Sequence, residues 1–337
     1  EYHVDLDGQS CPSCGDVLGT RSAKMSKSLG NTVSPVEMID RYGADTVRLF
    51  ILFGANPEAG MEWSDTAIDS NHRHLESIID AFQAPLSFGD SKQNIDNWLL
   101  AKGRYNMIRW MQSMENVSLR EGVMISHYEM LSDWQWYQRR GGSDRNAALS
   151  YMSIWAQMIA PATPHIAEEL WMSIGGKGML ANKIAKPEEV TQDDNVLLAT
   201  ETYLKSVIDT SRNLLTLAQR HSDRPLERMV IQTAPSWVQD LASEAVSLSR
   251  VGFDFPNSGL DHIKSHPTFT TSEDKGKVMQ TWSMITTGAK KKRGKIQTWS
   301  EDEKALISIP EMEFSILDAD RHFIATSLGI KQVDVYE

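Results

Sequence analysis

The sequence predicts a mainly α-helical chain that ends in a small module of mixed helices and strands. Three observations predict it. Between Asp65 and Ile174 apolar residues recur at intervals of three and four, as on one face of a helix. Trp98, Ala101, Tyr105 and Ile108 do so in one segment, and Ile125, Tyr128, Leu131 and Trp134 in another. Beyond Leu226 short β-like runs alternate with helical ones, which describes a small α/β module. The chain of 337 residues also exceeds one ordinary domain, so about two or three are expected.

Composition narrows the function classes. Hydrophobic residues make up 41%, enough for real cores. The formal net charge of −11 excludes a generally basic nucleic-acid coat, so any RNA contact must use local patches. Two cysteines exclude a disulfide scaffold and point to a reducing, cytoplasmic setting. No apolar run is long enough to span a bilayer and no signal peptide is visible, so neither a membrane nor DNA is expected as a partner. The chain starts at Glu1 rather than Met, which leads to the expectation of the C-terminal part of something longer, or one piece of a split enzyme.

Glu1 to Arg21 reads as short strands and turns, with Tyr2, Val4 and Leu6 alternating. Within it Cys11 and Cys14 stand at the spacing of a zinc knuckle, followed by Gly15. Two thiolates supply half of a tetrahedral Zn²⁺ set, and His3 is the nearest further candidate. The other reading is a reduced pair in a surface turn, and the expectation leans against bound metal. Lys24-Met25-Ser26-Lys27-Ser28 then packs two lysines and two hydroxyls into five residues, ahead of a Gly-Asn turn. Such a loop can gather cations and O–H donors around a polyphosphate. Two lysines alone would equally suit a solvated loop.

Ser34-Pro35-Val36-Glu37 is a capping box with Pro at the first helical position, so a helix runs to Tyr42 and stops at Gly43. Asp45 is expected to cap a second helix, Thr46 to Phe53, with Val47, Leu49, Phe50 and Leu52 inward. The bundle helices are expected at Asp65 to Phe82, Asn94 to Met114, Leu119 to Arg140, Ser143 to Ala160 and Pro164 to Ile174. Trp134, Trp136, Trp155 and Trp171 are read as core rather than as stacking platforms, and His165 as a capping or core residue. Arg139, Arg140 and Arg145 cluster around Gly141-Gly142, where they could touch phosphate or simply form a solvated helix end.

Ile184 to Asn195 is a polar linker, and Val196 to Arg220 a long helix. In the terminal module Leu226 to Thr233 reads as a strand, Trp237 to Arg250 as a helix, Gly252 to Pro267 as irregular and Thr271 to Gly288 as helical. Ala305 to Ile309 and Ile316-Leu317 are strand-like, Ala319 to Leu328 helical, and Lys331 to Val335 a closing strand. Lys290, Lys291, Lys292 and Arg293 form the one dense basic run, either a phosphate-contacting loop or solvated charge after a helix end.

These strings carry a resemblance. Lys24 to Ser28 resembles the KMSKS loop of class I aminoacyl-tRNA synthetases. The segment "SPVEMIDRYGADTVRLFILFGANPEAGMEWSD" is similar to the one that follows it in leucyl-tRNA synthetases. "LSDWQWYQRR" and "IAPATPHIAEELW" resemble the anticodon-binding bundle of the class Ia enzymes, and the ending "DRHFIATSLGIKQVDVYE" resembles the C-terminal domain of the archaeal type.

The resemblance implies three parts. Residues 1–55 would be the end of a class I Rossmann-type catalytic domain with its KMSKS loop. Residues 56–195 would be an anticodon-binding helix bundle, and 196–337 a connecting helix with a tRNA-contacting α/β domain. It implies ATP-dependent attachment of leucine to tRNA(Leu) through leucyl-adenylate, with Mg²⁺. Lys24 and Lys27 would act on the triphosphate, Met25, Ser26 and Ser28 would complete the ATP loop, and Arg139, Arg140, Arg145 and the 290–293 run would hold tRNA. Electrostatic stabilisation of phosphate would be the chemistry, without a general base here. The His-Ile-Gly-His-type motif and the amino-acid pocket are not found in these residues, so the chain alone is expected to be inactive. Another class Ia ligase (for isoleucine, valine or methionine) and a non-catalytic tRNA-binding module are the alternatives.

Overall fold

The structure, a computed structural model, describes residues 10, 14–16, 24–29, 31–55, 60–90, 92–183, 186–287, 295–296, 304–305, 309 and 312–337. They fall into two units, Glu1–Val190 and Thr191–Glu337.

In the first unit, helix α1 (Pro35–Tyr42) begins as its sequence requires: the Ser34 hydroxyl accepts from the Glu37 amide, and Pro35 needs no donor at the first position. Gly43, at φ +81°, ends it and donates to the Ile39 carbonyl at 2.8 Å. Helix α2 (Ala44–Gly54) follows directly. Here the structure corrects one expectation. Asp45 does not cap α2, whose N-cap position is Gly43 without a side-chain bond. Its buried carboxylate instead accepts from the Ile166 amide at 2.7 Å, at the start of α8 (Pro164–Ser173). A carboxylate can serve any helix N-terminus within reach, and tertiary packing brings α8 to it.

Ser64 caps α3 (Asp65–Gln83), its hydroxyl accepting from the Ala67 amide. Tyr42, Val47 and Phe50 share one apolar cluster with Ile68 of α3, so the segment after the lysine loop and the start of the bundle have a common core. Leu49 is buried and Leu52 half-buried.

The bundle continues with α4 (Asn94–Glu115), α5 (Leu119–Val123), a π-helical segment (Met124–Glu129), α6 (Met130–Arg139) and α7 (Arg145–Ile159), which packs on α4 and α8. The sequence reads α5 to α6 as one ordinary helix; the structure inserts a wide π turn in it. Side chains satisfy carbonyls at that turn. Trp155 Nε1 donates to the Ser126 oxygen at 2.7 Å, His74 Nε2 to the His127 oxygen at 3.0 Å, and the Tyr151 hydroxyl to the Met130 oxygen at 2.8 Å.

His127 is fully buried in the same turn, with Nδ1 2.9 Å from the Ser126 hydroxyl and Nε2 3.1 Å from that of Thr163. Burial, and secondarily the neighbouring His74, hold its pKa down to about 3. Trp134, Trp136 and Trp155 are core, as expected. Trp171 is not: it is half-buried and donates to the Gly178 carbonyl at 3.0 Å across the turn that ends α8.

In the second unit α9 (Gln192–Gln219) starts earlier than expected, inside the supposed linker. A reciprocal capping box explains it, Thr191 with Asp194, at 3.1 and 2.9 Å. Then come β1 (Arg228–Gln232), α10 (Ser236–Arg250), α11 (Phe255–Ser265), α12 (Pro267–Thr271), α13 (Lys275–Thr287), α14 (Glu313–Ala319), α15 (Arg321–Leu328) and β2 (Gln332–Tyr336). The two strands pair in parallel, Arg228 against Gln332 through Gln232 against Tyr336.

Two further expectations are corrected here. Gly252 to Pro267 is not irregular but holds α11, capped by Asp254 with Pro256 in its first turn. Ile316-Leu317 is not a strand but part of α14, which points Leu317 into the interior while Ile316 joins the cluster of Ala199, Ala305 and Ile309. Of the strand expected at Ala305 to Ile309, Ala305 is helical and 306–308 lie outside the described residues. A second core gathers Leu241, Val246, Phe255, Ile263, Val278 and Trp282. Among the described residues no helix is long and apolar enough to cross a membrane.

Candidate functional site

The loop from Lys24 to Asn31 precedes α1 and is tied by one side chain. Asn31 is buried, at 8% exposure. Its Oδ1 accepts from the Ser26 amide at 2.7 Å, and its Nδ2 donates to the Lys24 carbonyl at 3.2 Å. Lys27 opens a single 3-10 turn, and the Ser26 and Ser28 hydroxyls lie 3.0 Å apart. Lys24, Lys27 and Ser28 are exposed. Behind the loop is a cavity of about 720 Å³, walled mainly by Val33, Met38, Val47, Ile51, Met61 and Trp63, with Lys24 and Glu62 as its charged members. Ammonium groups, hydroxyls and an amide can stabilise phosphate charge; they are not groups that relay a proton at neutral pH.

Helix α2 anchors this region on the bundle through two residues one turn apart. Arg48 donates from Nε to the Ala162 carbonyl at 2.9 Å and from its terminal nitrogen to the Pro161 carbonyl at 2.8 Å. Those carbonyls follow the C-terminus of α7, the negative end of its dipole. Asp45 meets the positive end of α8 at the Ile166 amide and also stands 2.9 Å from His165 Nδ1. The cation thus faces one helix end and the anion the next. His165, read as cap or core, is instead largely exposed and partners Asp45.

The three arginines flank a rigid turn between α6 and α7. Gly141 takes φ +83°, and the Gly142 amide donates to the Tyr137 carbonyl at 2.9 Å. A Cβ on Gly142 would meet the Tyr137 ring at 2.1 Å. Arg139 is exposed with its guanidinium 5.3 Å from the Trp136 ring centre, Arg140 is half-buried, and Arg145 opens α7 at the surface. The basic run Lys290, Lys291, Lys292 and Arg293 lies outside the described residues.

So does Cys11. Cys14 is exposed, its Sγ 3.4 Å from Asp16 Oδ2. Among the described residues no group of three His, Cys, Asp or Glu side chains is placed to hold a metal ion. The described residues therefore furnish no zinc site of their own.

Sequence reasoning missed Asn31 and Arg48. Asn31 reads as a turn former, and its second identity, one amide holding two backbone groups, exists only when the loop is closed. Arg48 carries no motif, and its carbonyl partners are more than 110 residues away.

Comparison with known proteins agrees with this layout. Residues 14–64 match the family model of the class I tRNA synthetases for isoleucine, leucine, methionine and valine. Residues 96–229 match that of the anticodon-binding domain of tRNA ligases. The leucine–tRNA ligase of Pyrococcus abyssi is 31% identical over 226 residues, covering 64% of this chain and 23% of that protein. That of Pyrococcus horikoshii is 29% identical over 268 residues, 76% of this chain and 27% of the relative. That of Methanothrix thermoacetophila is 27% identical over 234 residues, 68% and 24%. The chain thus spans about a quarter of the length of the curated relatives it matches. A solved ternary complex of an Agrobacterium radiobacter K84 LeuRS with tRNA and LeuAMS covers 48% of this chain and 21% of its own, at 23% identity and a TM-score of 0.42, a likeness too slight to argue from. A class I synthetase segment that runs into an anticodon-binding bundle, with archaeal relatives of one specificity, makes the chain homologous to the C-terminal part of leucine–tRNA ligases.

Proposed function

We propose that this chain supplies the phosphate-binding loop and most of the tRNA-holding surface of a leucine–tRNA ligase. The reaction is ATP-dependent joining of leucine to tRNA(Leu) through leucyl-adenylate, in the cytoplasm. The observation that carries the proposal is the braced Lys24–Ser28 loop, presenting two exposed lysines beside a cavity and fastened by α2 to an anticodon-type bundle. Lys24 and Lys27 neutralise the triphosphate, and Ser26 and Ser28 donate hydroxyl hydrogen bonds to it. Mg²⁺ accompanies the nucleotide. The remaining pocket for leucine comes from sequence outside these residues.

In this reading residues 1–55 end the catalytic domain, 56–195 form the bundle, and 196–337 reach the body of tRNA. Arg139, Arg140 and Arg145 face phosphate near the Gly141–Gly142 turn, and Lys290, Lys291, Lys292 and Arg293 do so in the terminal unit. A Zn²⁺ on Cys11 and Cys14 would need two more ligands from outside the described residues.

The test uses a ligase that contains this chain. Lys27→Ala removes a charge-assisted contact, roughly 1.5–3 kcal/mol, so leucine-dependent ATP–pyrophosphate exchange is expected to fall about tenfold or more, chiefly in its rate. An unchanged rate overturns the role of the loop. Competition binding adds the RNA test: a tRNA with a long variable arm is expected to bind more tightly than one with a short arm. Neutralising residues 290–293 weakens both and flattens the salt dependence. Equal affinity for the two RNAs overturns the leucine assignment.

A further inference from the structure

We infer that Asn31 is a positioning residue: its buried carboxamide holds the main chain at both Lys24 and Ser26 and so sets where the two lysines of the loop stand. The catalytic half of this inference rests on the function proposed above.

The geometry uses both ends of the amide. Oδ1 accepts from the Ser26 amide at 2.7 Å while Nδ2 donates to the Lys24 carbonyl at 3.2 Å. A carboxamide of this length carries one acceptor and a donor pair side by side; Asp lacks the donor, and Ser, with one atom, cannot span both positions. Asn31 sits at the base of α1's approach and is itself shielded from water, at 8% exposure. Water competes poorly there for either bond. The residues it grips bracket Met25, and Lys24 lines the cavity that Met25 also lines. Lys27 follows Ser26 directly and begins the 3-10 turn. One side chain therefore fixes the exit of the first lysine and the entry of the second. Lysine is a point charge on a flexible stem, so its value to a polyphosphate depends on where its backbone is held. Holding the backbone in advance removes an ordering cost from the activation step.

Two substitutions separate positioning from simple bracing. Asn31→Ala deletes both bonds. Asn31→Asp keeps an acceptor for the Ser26 amide but turns an oxygen toward the Lys24 carbonyl and puts a negative charge among the lysines. Hydrogen exchange of this chain is read first. The Ser26 amide is expected to exchange about fivefold faster or more in Asn31→Ala, the ratio for loss of one net hydrogen bond, and near the wild-type rate in Asn31→Asp, with bundle amides unchanged in both. In a ligase containing this chain, ATP–pyrophosphate exchange is read second. Its kcat is expected to fall about tenfold in Asn31→Ala and at least as far in Asn31→Asp, with the KM for leucine unchanged. A Ser26 amide indifferent to Asn31→Ala overturns the brace. A faster amide with an unchanged kcat overturns positioning and leaves a structural bond. If the wild-type ligase shows no leucine-dependent exchange, the proposed function fails, and the amide measurement still decides the brace.

Discussion

Acidification is expected to loosen the bundle through one imidazole. His127 is fully buried, and burial pushes its pKa down to about 3 from the ordinary 6.5. The folded-state pKa is depressed, so the unfolded chain takes up the proton first as pH falls. Stability from this group is whole above pH 6.5 and is lost progressively between about 6.5 and 3. Each unit of that interval is worth about 1.4 kcal/mol. At pH 5 the loss comes to about 2 kcal/mol, and across the whole window to about 5 kcal/mol. His74, whose ring stacks on Tyr128 and donates to the His127 carbonyl, is also lowered by burial and adds in the same direction.

The comparison that isolates His127 is therefore wild type against His127→Gln, which cannot titrate but keeps polar atoms near Ser126 and Thr163. Urea unfolding of the bundle is followed at pH 8, 7, 6 and 5. From pH 8 to pH 5 wild type is expected to lose about 2 kcal/mol more than the variant, whatever their offset at pH 8. Parallel curves, or an NMR titration of the His127 ring with a midpoint near 6.5, would refute the reasoning.

Two other outcomes follow from the packing. Trp155→Phe leaves the Ser126 carbonyl of the π turn without its donor, an added penalty of about 1–3 kcal/mol, whereas Trp134 Nε1 has no partner among the described residues, so Trp134→Phe carries no such penalty; equal losses on urea unfolding would argue against the π-turn account. Gly142→Ala drives a methyl into the Tyr137 ring, which accepts from the Asp144 amide and donates to Asp96; a cost of about 1–3 kcal/mol is expected in thermal unfolding, and an unaltered midpoint would mean the α6–α7 turn yields freely.

What the sequence by itself determined is the local grammar. Ser34-Pro35 starts α1, Gly43 stops it, and the three-four spacing of Trp98, Ala101, Tyr105 and Ile108 lays down α4, because caps and amphipathic faces act within a turn or two of the chain. The KMSKS string was legible for the same reason: its lysines and hydroxyls are neighbours in the chain. The helix at Phe255–Ser265 is legible too, from Asp254 and Pro256; the one at Glu313–Ala319 is masked by the short apolar pair Ile316-Leu317, which suits a strand as well as a helix.

Tertiary structure alone decided the rest, because a polar group takes the partner that folding brings to it rather than the nearest in the chain. Asp45 looked like a cap for its own helix and serves another one about 120 residues on. Arg48 found carbonyls at Pro161 and Ala162. At the π turn, Met124–Glu129, Trp155 and His74 arrive from other helices to satisfy the Ser126 and His127 carbonyls, and the neutral state of His127 comes from a burial that no local pattern encodes.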